Sequence, residues 1–306
     1  MRPSVCSVLS EACARRREVV LITGDAGYGV FNEFQERFSD RFLNLGIAEQ
    51  FTTSFAAGLC LAGFRPVLYN IIPFLLYRPY EQVRNDVCTP KMPVVMVGTG
   101  AGVTYAPQGM SHYALEDLGL AQTLPGLTVF SPADPLETKA ALRLALESEG
   151  PVYLRITGTG EPDLGEAPQD IRLPRLLAEG SDLAVLCHGP ITTEALGARE
   201  IVAKQGLSLR VISVPCIQPL ATDWLWYNLG DLDRVLVLEE HFSPSGLAGR
   251  VQDAACAHGV WGRWSFQFRG VPQDPVPQGL NQAELRRLWG LDAQGLAQSI
   301  AAFMRE

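Results

Sequence analysis

Glu49 is the residue whose position in this sequence points most directly to chemistry. It lies in the segment Asn44-Leu45-Gly46-Ile47-Ala48-Glu49-Gln50, which opens a predicted helix whose next turns, 51–63, are almost wholly apolar or small. Such a helix is expected to be buried, and a carboxylate at its start is costly to bury unless another group hydrogen-bonds to it. Glu49 is therefore a candidate site residue, or it simply complements the positive end of the helix dipole. Spacing alone leaves both interpretations open.

A glycine-rich segment, Gly98-Thr99-Gly100-Ala101-Gly102, follows an apolar run and invites comparison with dinucleotide-binding loops. The fingerprint of those loops places its third glycine three residues after the second. Val103 occupies that position here, and no suitable acidic residue pairs with the segment. The sequence therefore does not favour nucleotide binding at this loop.

The elements that would position Glu49 alternate between short β-branched runs and longer helical patterns, as in a parallel sheet covered by helices. The strands predicted in the first half are 19–23, 66–69, 94–97, 127–130 and 152–156, and the predicted helices are 47–61 and 135–148. The second of these helices has a strong start signal, since Asp134 can cap it and Pro135 suits its first position.

The chain changes character at 157–174, where glycine and proline collect among acidic residues without periodicity. We interpret this change as a linker, which gives a first domain at 1–158, a linker at 159–178 and a second domain at 179–306. Alternation then resumes, with strands predicted at 183–187, 209–214 and 235–238, and helices at 192–205, 246–258 and 291–304. The predicted fold class is α/β, with two domains that each contain a mainly parallel sheet covered by helices.

Composition excludes several classes of function. A formal net charge of -8 argues against nucleic-acid binding, which needs a concentrated Lys/Arg surface. The seven cysteines are far apart, as expected for reduced thiols in a cytoplasmic protein. The four histidines are equally scattered, so spacing suggests no metal site made by this chain alone. No apolar segment predicts a membrane span or a secretion signal.

Several motifs in sequence order resemble transketolases and deoxyxylulose-phosphate synthases. The segment Gly46-Ile47-Ala48-Glu49-Gln50 resembles the glutamate motif of their pyrimidine-binding domain. The resemblance continues through 64–87, Gly109-Met110-Ser111-His112, Leu115-Glu116-Asp117 and Ser131-Pro132-Ala133-Asp134, and reaches the family's C-terminal domain at Leu238-Glu239-Glu240-His241 and Gly246-Leu247. It covers nearly the whole chain, and motifs in this order are far more specific than any one of them.

The resemblance implies thiamine diphosphate as cofactor, with Glu49 as its activator. In this family the glutamate hydrogen-bonds the aminopyrimidine and promotes loss of the thiazolium proton, while the carbanion chemistry belongs to the cofactor. Phe74 matches the aromatic residue that stacks on the aminopyrimidine, with Tyr77 and Tyr80 as second choices; a core phenylalanine is the alternative. Asp25 matches a family acid near the cofactor, although its glycine neighbours also suit a turn.

The same resemblance implies the residues that face the substrate. His112 matches a histidine that hydrogen-bonds substrate oxygens or moves protons. Arg155 matches an arginine that grips a sugar or its phosphate, the alternative being a strand-end arginine paired with a surface acid. The chain departs from the family at two places. Where phosphosugar-binding relatives carry a basic residue, this chain has Gly100 and Ala101, and where they carry an acid four residues before the histidine, it has Gln108. These departures point to an unphosphorylated or unusual donor, with Gln108 a candidate substrate contact.

A complete transketolase has an additional N-terminal domain, whose Gly-Asp-Gly motif and following asparagine hold magnesium and the diphosphate; this sequence has no such motif. The resemblance therefore implies that a separate N-terminal-section subunit supplies the Mg²⁺ ligands, so that cofactor lies between subunits of an α2β2 heterotetramer. The predicted function is ketol or acyl transfer from a ketose or keto donor to an aldehyde. The alternatives are the β subunit of a 2-oxo acid dehydrogenase and a non-catalytic scaffold that kept the fold.

Overall fold

Two sheets covered by helices form the chain, whose computed structural model describes residues 1–27, 29–158 and 160–305. The strands are β1 Val19–Thr23, β2 Phe42–Asn44, β3 Arg65–Ile71, β4 Val95–Thr99, β5 Thr128–Phe130, β6 Val152–Ile156, β7 Arg175–Ala178, β8 Leu183–Cys187, β9 Leu209–Ser213, β10 Cys216–Gln218, β11 Arg234–Leu238 and β12 Ser265–Arg269. The helices are α1 Arg2–Arg15, α2 Asn32–Arg37, α3 Glu49–Leu61, α4 Tyr80–Gln82, α5 Asp117–Gln122, α6 Pro135–Glu147, α7 Thr192–Ala203, α8 Thr222–Leu229, α9 Leu247–Ala257, α10 Gln282–Leu288 and α11 Ala293–Phe303.

The first sheet has the strand order β10-β5-β6-β4-β3-β1-β2. All its neighbours run parallel except β10, which pairs antiparallel with β5. Strands β1, β4 and β6 are buried along their whole length, as expected for a parallel sheet covered on both faces. One face packs on α1 and α6, and the other on α3, α5 and the helical segment 73–88.

The second sheet has the order β12-β11-β8-β9-β7, with β7 antiparallel at one edge and the other strands parallel. Helices α7 and α11 cover one of its faces. Apolar residues of both sheets belong to one continuous core, which includes Ile22 of β1 and Val237 of β11. The two domains are therefore packed together through apolar side chains, and the predicted α/β fold class is confirmed.

Two strands differ from the predicted division of the chain. Strand β7 lies inside the segment predicted as linker, and its antiparallel pairing makes it part of the second sheet. Strand β10 follows the second-domain strand β9 yet completes the first sheet. The chain thus crosses between the domains more than once. No helix within the described residues is long and apolar enough to span a membrane.

Helix starts follow the local sequence closely. Asp134 caps α6 as predicted, because its carboxylate accepts a hydrogen bond of 2.7 Å from the Glu137 backbone N–H. Helix α3 begins at Glu49, two residues later than predicted, because Ala48 has a non-helical φ of -142°. Glu49 is consequently the first helical residue of α3.

Candidate functional site

The residues predicted to do chemistry gather at the carboxyl edge of the first sheet. Asp25 follows β1, the segment leading to Glu49 follows β2, and Phe74 follows β3. His112 lies on the long connection after β4, which runs from Gly100 to Glu116. This edge is where open α/β sheets bind their ligands, because several connections from neighbouring strands converge there.

The Glu49 carboxylate pairs with Arg78, at 2.6 Å between Oε1 and Nη1. The Glu49 side chain is only 11% exposed, whereas Arg78 is half-exposed. Glu49 lines two clefts: a closed one with room for about one water molecule, and an open one of about 440 Å³ that it shares with Arg78 and 47–51. The carboxylate is therefore within reach of a ligand that enters the open cleft.

Phe74 lies between this ion pair and the histidine. It belongs to a π-helical turn, Pro73–Tyr77. The Arg78 guanidinium lies over the Phe74 ring, with its central carbon 4.1 Å from the ring centre. π-Helical turns widen the helix and recur at functional sites. Sequence reasoning missed Arg78, although its i,i+4 spacing from Phe74 was a usable signal.

His112 approaches Phe74 from the other side, with ring centres 5.3 Å apart and an edge-on geometry. Its Nδ1 lies 2.9 Å from the Ser111 hydroxyl, and Nε2 has no hydrogen-bond partner among the described residues. The ring of Tyr105, another residue missed by sequence reasoning, stands edge-on at 6.2 Å. Glu49, Phe74 and His112 thus form one continuous surface.

Asp25 lies at the same edge, exposed, and adopts a positive φ of 54°, which aspartate tolerates better than most residues. Its backbone N–H donates to the Asn44 side-chain oxygen at 3.1 Å, and the Gly46 N–H donates to the same oxygen at 2.9 Å. Asn44 therefore ties the end of β1 to the segment that leads into Glu49. It is a positioning residue that sequence reasoning missed.

Tyr77 and Gln108 lie near the site without joining the Glu49 surface. The Tyr77 hydroxyl donates to the Glu116 carboxylate at 3.1 Å and lines a separate cavity of about 360 Å³ between the domains. Burial is the main cause that raises the pKa of Tyr77 above its usual range. The structure therefore brings Phe74 rather than Tyr77 beside Glu49. Gln108 is exposed, on the same connection as His112.

The expectation that Arg155 contacts substrate needs correction. Arg155 is 2% exposed, and its Nε donates to Asp117, itself fully buried, at 2.9 Å. Its Nη2 donates to the carbonyls of Ala114 and Glu240, at 2.9 and 3.3 Å. Since a buried charge needs a partner, the ion pair with Asp117 stabilises Arg155 in a buried position, where it joins the two domains.

The second domain supports the connection that carries His112. Glu240 accepts hydrogen bonds from the Val103 backbone N–H at 2.9 Å and from Gln282 at 2.8 Å, and it pairs with Arg286. The Phe242 N–H donates to the Leu115 carbonyl at 3.1 Å. Both ends of the connection after β4 are therefore attached to the second domain.

The residues present suit part of the cofactor that the family resemblance implies. An acidic carboxylate, an aromatic face and an open cleft match a flat heteroaromatic ring. Thr52, which lines the closed cleft with Glu49, is 8% exposed, and its hydroxyl has no partner among the described residues. The same residues do not provide a site for the metal that accompanies the diphosphate. Residues 1–27, 29–158 and 160–305 contain no group of three or more His, Cys, Asp or Glu placed to hold a metal ion.

Comparison with known proteins assigns both domains. The profile of the transketolase pyrimidine-binding domain matches residues 1–159, and that of the transketolase C-terminal domain matches residues 174–296. The resemblance predicted from the sequence is therefore confirmed over both domains.

The similar proteins include longer chains, which this chain covers only in part, and chains of about the same length. The chain is 33% identical over 303 residues to 1-deoxy-D-xylulose-5-phosphate synthase 1 of Geobacter sulfurreducens, covering 97% of this chain but only 47% of that relative. It is 29% identical over 265 residues to a subunit of the apulose-4-phosphate transketolase of Actinobacillus succinogenes, covering 86% of this chain and 85% of that relative. A solved split-gene transketolase, described as an inactive beta4 tetramer, superimposes with a TM-score of 0.89 at 29% identity, covering 99% of this chain and 98% of that chain.

Proposed function

This chain belongs to the transketolase family, and on that premise we propose that it is the glutamate-bearing subunit of a split, thiamine-diphosphate-dependent enzyme that transfers a two-carbon ketol or acyl unit to an aldehyde. The observation that carries the proposal is the position of Glu49. Its carboxylate borders an open cleft at the carboxyl edge of the sheet, its partner Arg78 lies over the Phe74 ring, and that ring contacts His112. These are the groups that the reaction needs around the cofactor ring.

Each residue would have a distinct role. Thiamine diphosphate, when bound, supplies the carbanion chemistry. Glu49 would share a proton between its carboxylate and a nitrogen of the cofactor ring. This hydrogen bond would replace the ion pair with Arg78. Arg78 can move because half of its side chain is already in water. Phe74 would offer its face to the ring, and the unpaired Nε2 of His112 would donate to or accept from a substrate oxygen.

A second, partner chain is part of the proposal. Similar proteins of about this length include one subunit of a transketolase and a split-gene transketolase. The present chain spans less than half of the longer synthase that it matches. We propose that the partner supplies the magnesium and diphosphate site, that cofactor lies where the two chains meet, and that two such pairs form an α2β2 heterotetramer.

The test is reconstitution with the candidate partner, thiamine diphosphate and Mg²⁺, followed by assay of ketose donors against aldehyde acceptors. Glu49→Ala should lower kcat at least about a hundredfold, since a positioned proton-transfer group contributes roughly 10²–10⁴. Glu149→Ala is the control: it removes an exposed glutamate just before β6, at the opposite edge of the sheet, and should keep wild-type turnover.

Two outcomes would contradict the proposal. Unchanged turnover in Glu49→Ala would mean that the chain is a scaffold. Rapid oxidative decarboxylation of pyruvate with an artificial electron acceptor, without dependence on an aldose, would make it a 2-oxo acid dehydrogenase subunit.

A further inference from the structure

A cavity of about 360 Å³ between the two domains is separate from the cleft that contains Glu49. This volume lies within the range of roughly 300–1,000 Å³ in which proteins bind small molecules. The walls come from the π-helical turn and the connection after β4 in the first domain, and from two segments of the second domain. Most of the lining is aromatic or apolar, from Tyr77, Met110, Tyr113, Leu115, Phe242 and Val276. The cavity can therefore enclose the apolar part of a small ligand.

The charged side chains that line this cavity are both acidic. They are Glu116, on the connection after β4, and Asp274, on the second domain, and both are exposed, which places them where the cavity opens to solvent. Glu116 accepts hydrogen bonds from two neutral donors, the Tyr77 hydroxyl at 3.1 Å and the Leu115 backbone N–H at 3.2 Å. Within residues 1–27, 29–158 and 160–305 neither carboxylate forms an ion pair. The mouth of the cavity therefore has an uncompensated negative charge.

An organic cation suits both features of the cavity. Aromatic faces attract ammonium ions, and a carboxylate without a partner can form an ion pair with them. The pKa of Tyr77 indicates a negative environment, because burial raises it above the usual range and the charges of Asp117 and Glu116 raise it further. An anionic ligand would be repelled by Glu116 and Asp274, and a neutral ligand would leave both carboxylates unpaired.

Part of the cavity wall is the segment that carries His112. Met110 and Tyr113 lie on either side of His112 in the chain, and His112 ends a short 3₁₀ turn that begins at Met110. The His112 backbone N–H donates to the Gly109 carbonyl at 3.0 Å, and a Cβ added to Gly109 would lie 3.3 Å from the side-chain oxygen of Gln278, which also lines the cavity. A ligand that packs against Met110 and Tyr113 would therefore restrict the motion of His112.

We propose that this cavity is an effector site for a small organic ammonium ion. The charged end of the ligand lies beside Glu116 and Asp274, its apolar part packs against Tyr113 and Phe242, and its binding orders the connection that carries His112. Binding follows from the cavity alone, whereas an effect on turnover rests on the proposed function.

The direct test compares three probes of similar size on the isolated full chain, by ligand-detected NMR titration. The probes are benzyltrimethylammonium, benzyl alcohol and benzoate. The cation should bind at least about tenfold more tightly than the neutral probe, and benzoate should bind most weakly. Equal binding of the three probes, or no binding of the cation, would overturn the proposal.

Substitutions at the mouth locate the bound cation. Glu116→Gln and Asp274→Asn should each weaken binding of benzyltrimethylammonium about three- to tenfold and leave benzyl alcohol unaffected. Asp253→Asn is the matched control, since Asp253 is an exposed acid on α9 that does not line the cavity. Glu49→Gln should also bind the cation as wild type does, because Glu49 lines other clefts. Loss of binding in Glu49→Gln, or wild-type binding in both mouth variants, would place the cation outside this cavity and contradict the proposal.

Hydrogen exchange tests the effect on His112. Saturating benzyltrimethylammonium should slow exchange of the His112 amide at least about threefold, and unchanged exchange with the cation bound would contradict the ordering of this connection. In the reconstituted enzyme the same cation should change kcat at least about twofold, and Asp274→Asn should need about three- to tenfold more of it for the same change. An unchanged kcat would contradict a role as effector. If reconstitution gives no group transfer while the cation still binds and slows this exchange, the cation site stands and the proposed function fails.

Discussion

Phe74 occupies the position on which the proposed cofactor contact depends, because one side of its ring adjoins Arg78 and Glu49 and the other adjoins His112. We expect Phe74→Leu to weaken thiamine diphosphate binding to the reconstituted enzyme about two- to tenfold, since ring stacking contributes roughly 0.5–1.5 kcal/mol. The measurement is a calorimetric titration with the cofactor.

Tyr77→Leu is the matched control for this prediction. Tyr77 lies on the same π-helical turn, but its hydroxyl is turned toward Glu116 and the cavity between the domains. Its replacement should leave cofactor affinity unchanged. Equal weakening by both leucine variants would show that the turn as a whole, rather than the Phe74 ring, holds the cofactor.

Arg155 gives a second prediction at the residue scale. Arg155→Met should lower the free energy of unfolding by about 3–5 kcal/mol, because it leaves the Asp117 carboxylate buried without its partner. Adding Asp117→Asn should recover part of this loss, as measured by urea denaturation. A raised KM with unchanged stability would instead restore Arg155 as a substrate contact.

Among single residues, the sequence predicted the side chains that belong to recognisable motifs. It missed the side chains whose importance comes only from their contacts in the folded chain. Glu49, Phe74 and His112 were predicted, and the structure brings them together. Arg78 and Asn44 were not, because an arginine on a helix and an asparagine before a glycine have many ordinary uses. Arg155 was placed at a strand end, but its burial depends on Asp117, 38 residues away.

Among the elements, the connection after β4 depends on the second domain for its position. Glu240→Gln should speed hydrogen exchange at the Val103 amide roughly tenfold or more, because it weakens a charge-assisted hydrogen bond that holds this backbone. Glu194→Gln is the control, since Glu194 also pairs with Arg286 but accepts its backbone hydrogen bond from Ala293, outside the connection. Equal acceleration by both variants would mean that Arg286, not the contact with Val103, orders the connection.

Elements with local signals were predictable, whereas those fixed by distant pairing were not. Strands β1, β6 and β8 were predicted to the residue, and α6 from its proline and aspartate. Helix α1 was missed because its sequence, RPSVCSVLSEACAR, mixes apolar and polar residues without a clear stripe. Strand β10 was missed because three residues carry little pattern and its partner β5 lies far away in the chain.

For the whole molecule, a buried acid predicts how stability changes with pH. Glu137 lies between the domains, where it accepts hydrogen bonds from the Ala133 N–H and the Ser213 hydroxyl and faces Arg175 and Asp134. Burial raises the pKa of Glu137 to about 7, so folding favours its protonated form. Its contribution is therefore complete below the ordinary glutamate pKa of about 4.3 and is lost as pH rises through about 7.

Glu137→Gln should remove this dependence, which is on the order of 4 kcal/mol at most. Urea denaturation at a series of pH values from about 5 to about 8 would measure it as a difference from wild type. Burial lowers the pKa of His241 to about 4, so this residue makes the chain less stable as pH falls below the ordinary histidine pKa of about 6.5. Because this effect is opposite to that of Glu137, the quantity to compare is the difference in unfolding free energy between Glu137→Gln and wild type at each pH. Glu149→Gln, at an exposed position, should show the same change of unfolding free energy with pH as wild type. If Glu137→Gln also shows the wild-type pH dependence, Glu137 is not its cause.

An apolar face borders the open cleft and predicts where the partner subunit docks. Ile47, Phe51, Leu61 and Phe64 are 76%, 58%, 77% and 41% exposed, and we call these four residues the α3 face. Ile47 and Phe51 also line the cleft that contains Glu49 and Arg78. A chain that covered the α3 face would therefore close this cleft, which would both bury apolar surface and complete a cofactor site.

Phe51→Asp should weaken association with the partner subunit at least about a hundredfold, because it would bury an unpaired charge in the interface. Leu288→Asp is matched in exposure, at 58%, but lies in the second domain and should assemble normally. Analytical ultracentrifugation with the partner and with the chain alone separates two uses of the face. Normal assembly by Phe51→Asp would place the partner elsewhere, whereas loss of self-association alone would mean that the α3 face joins copies of this chain.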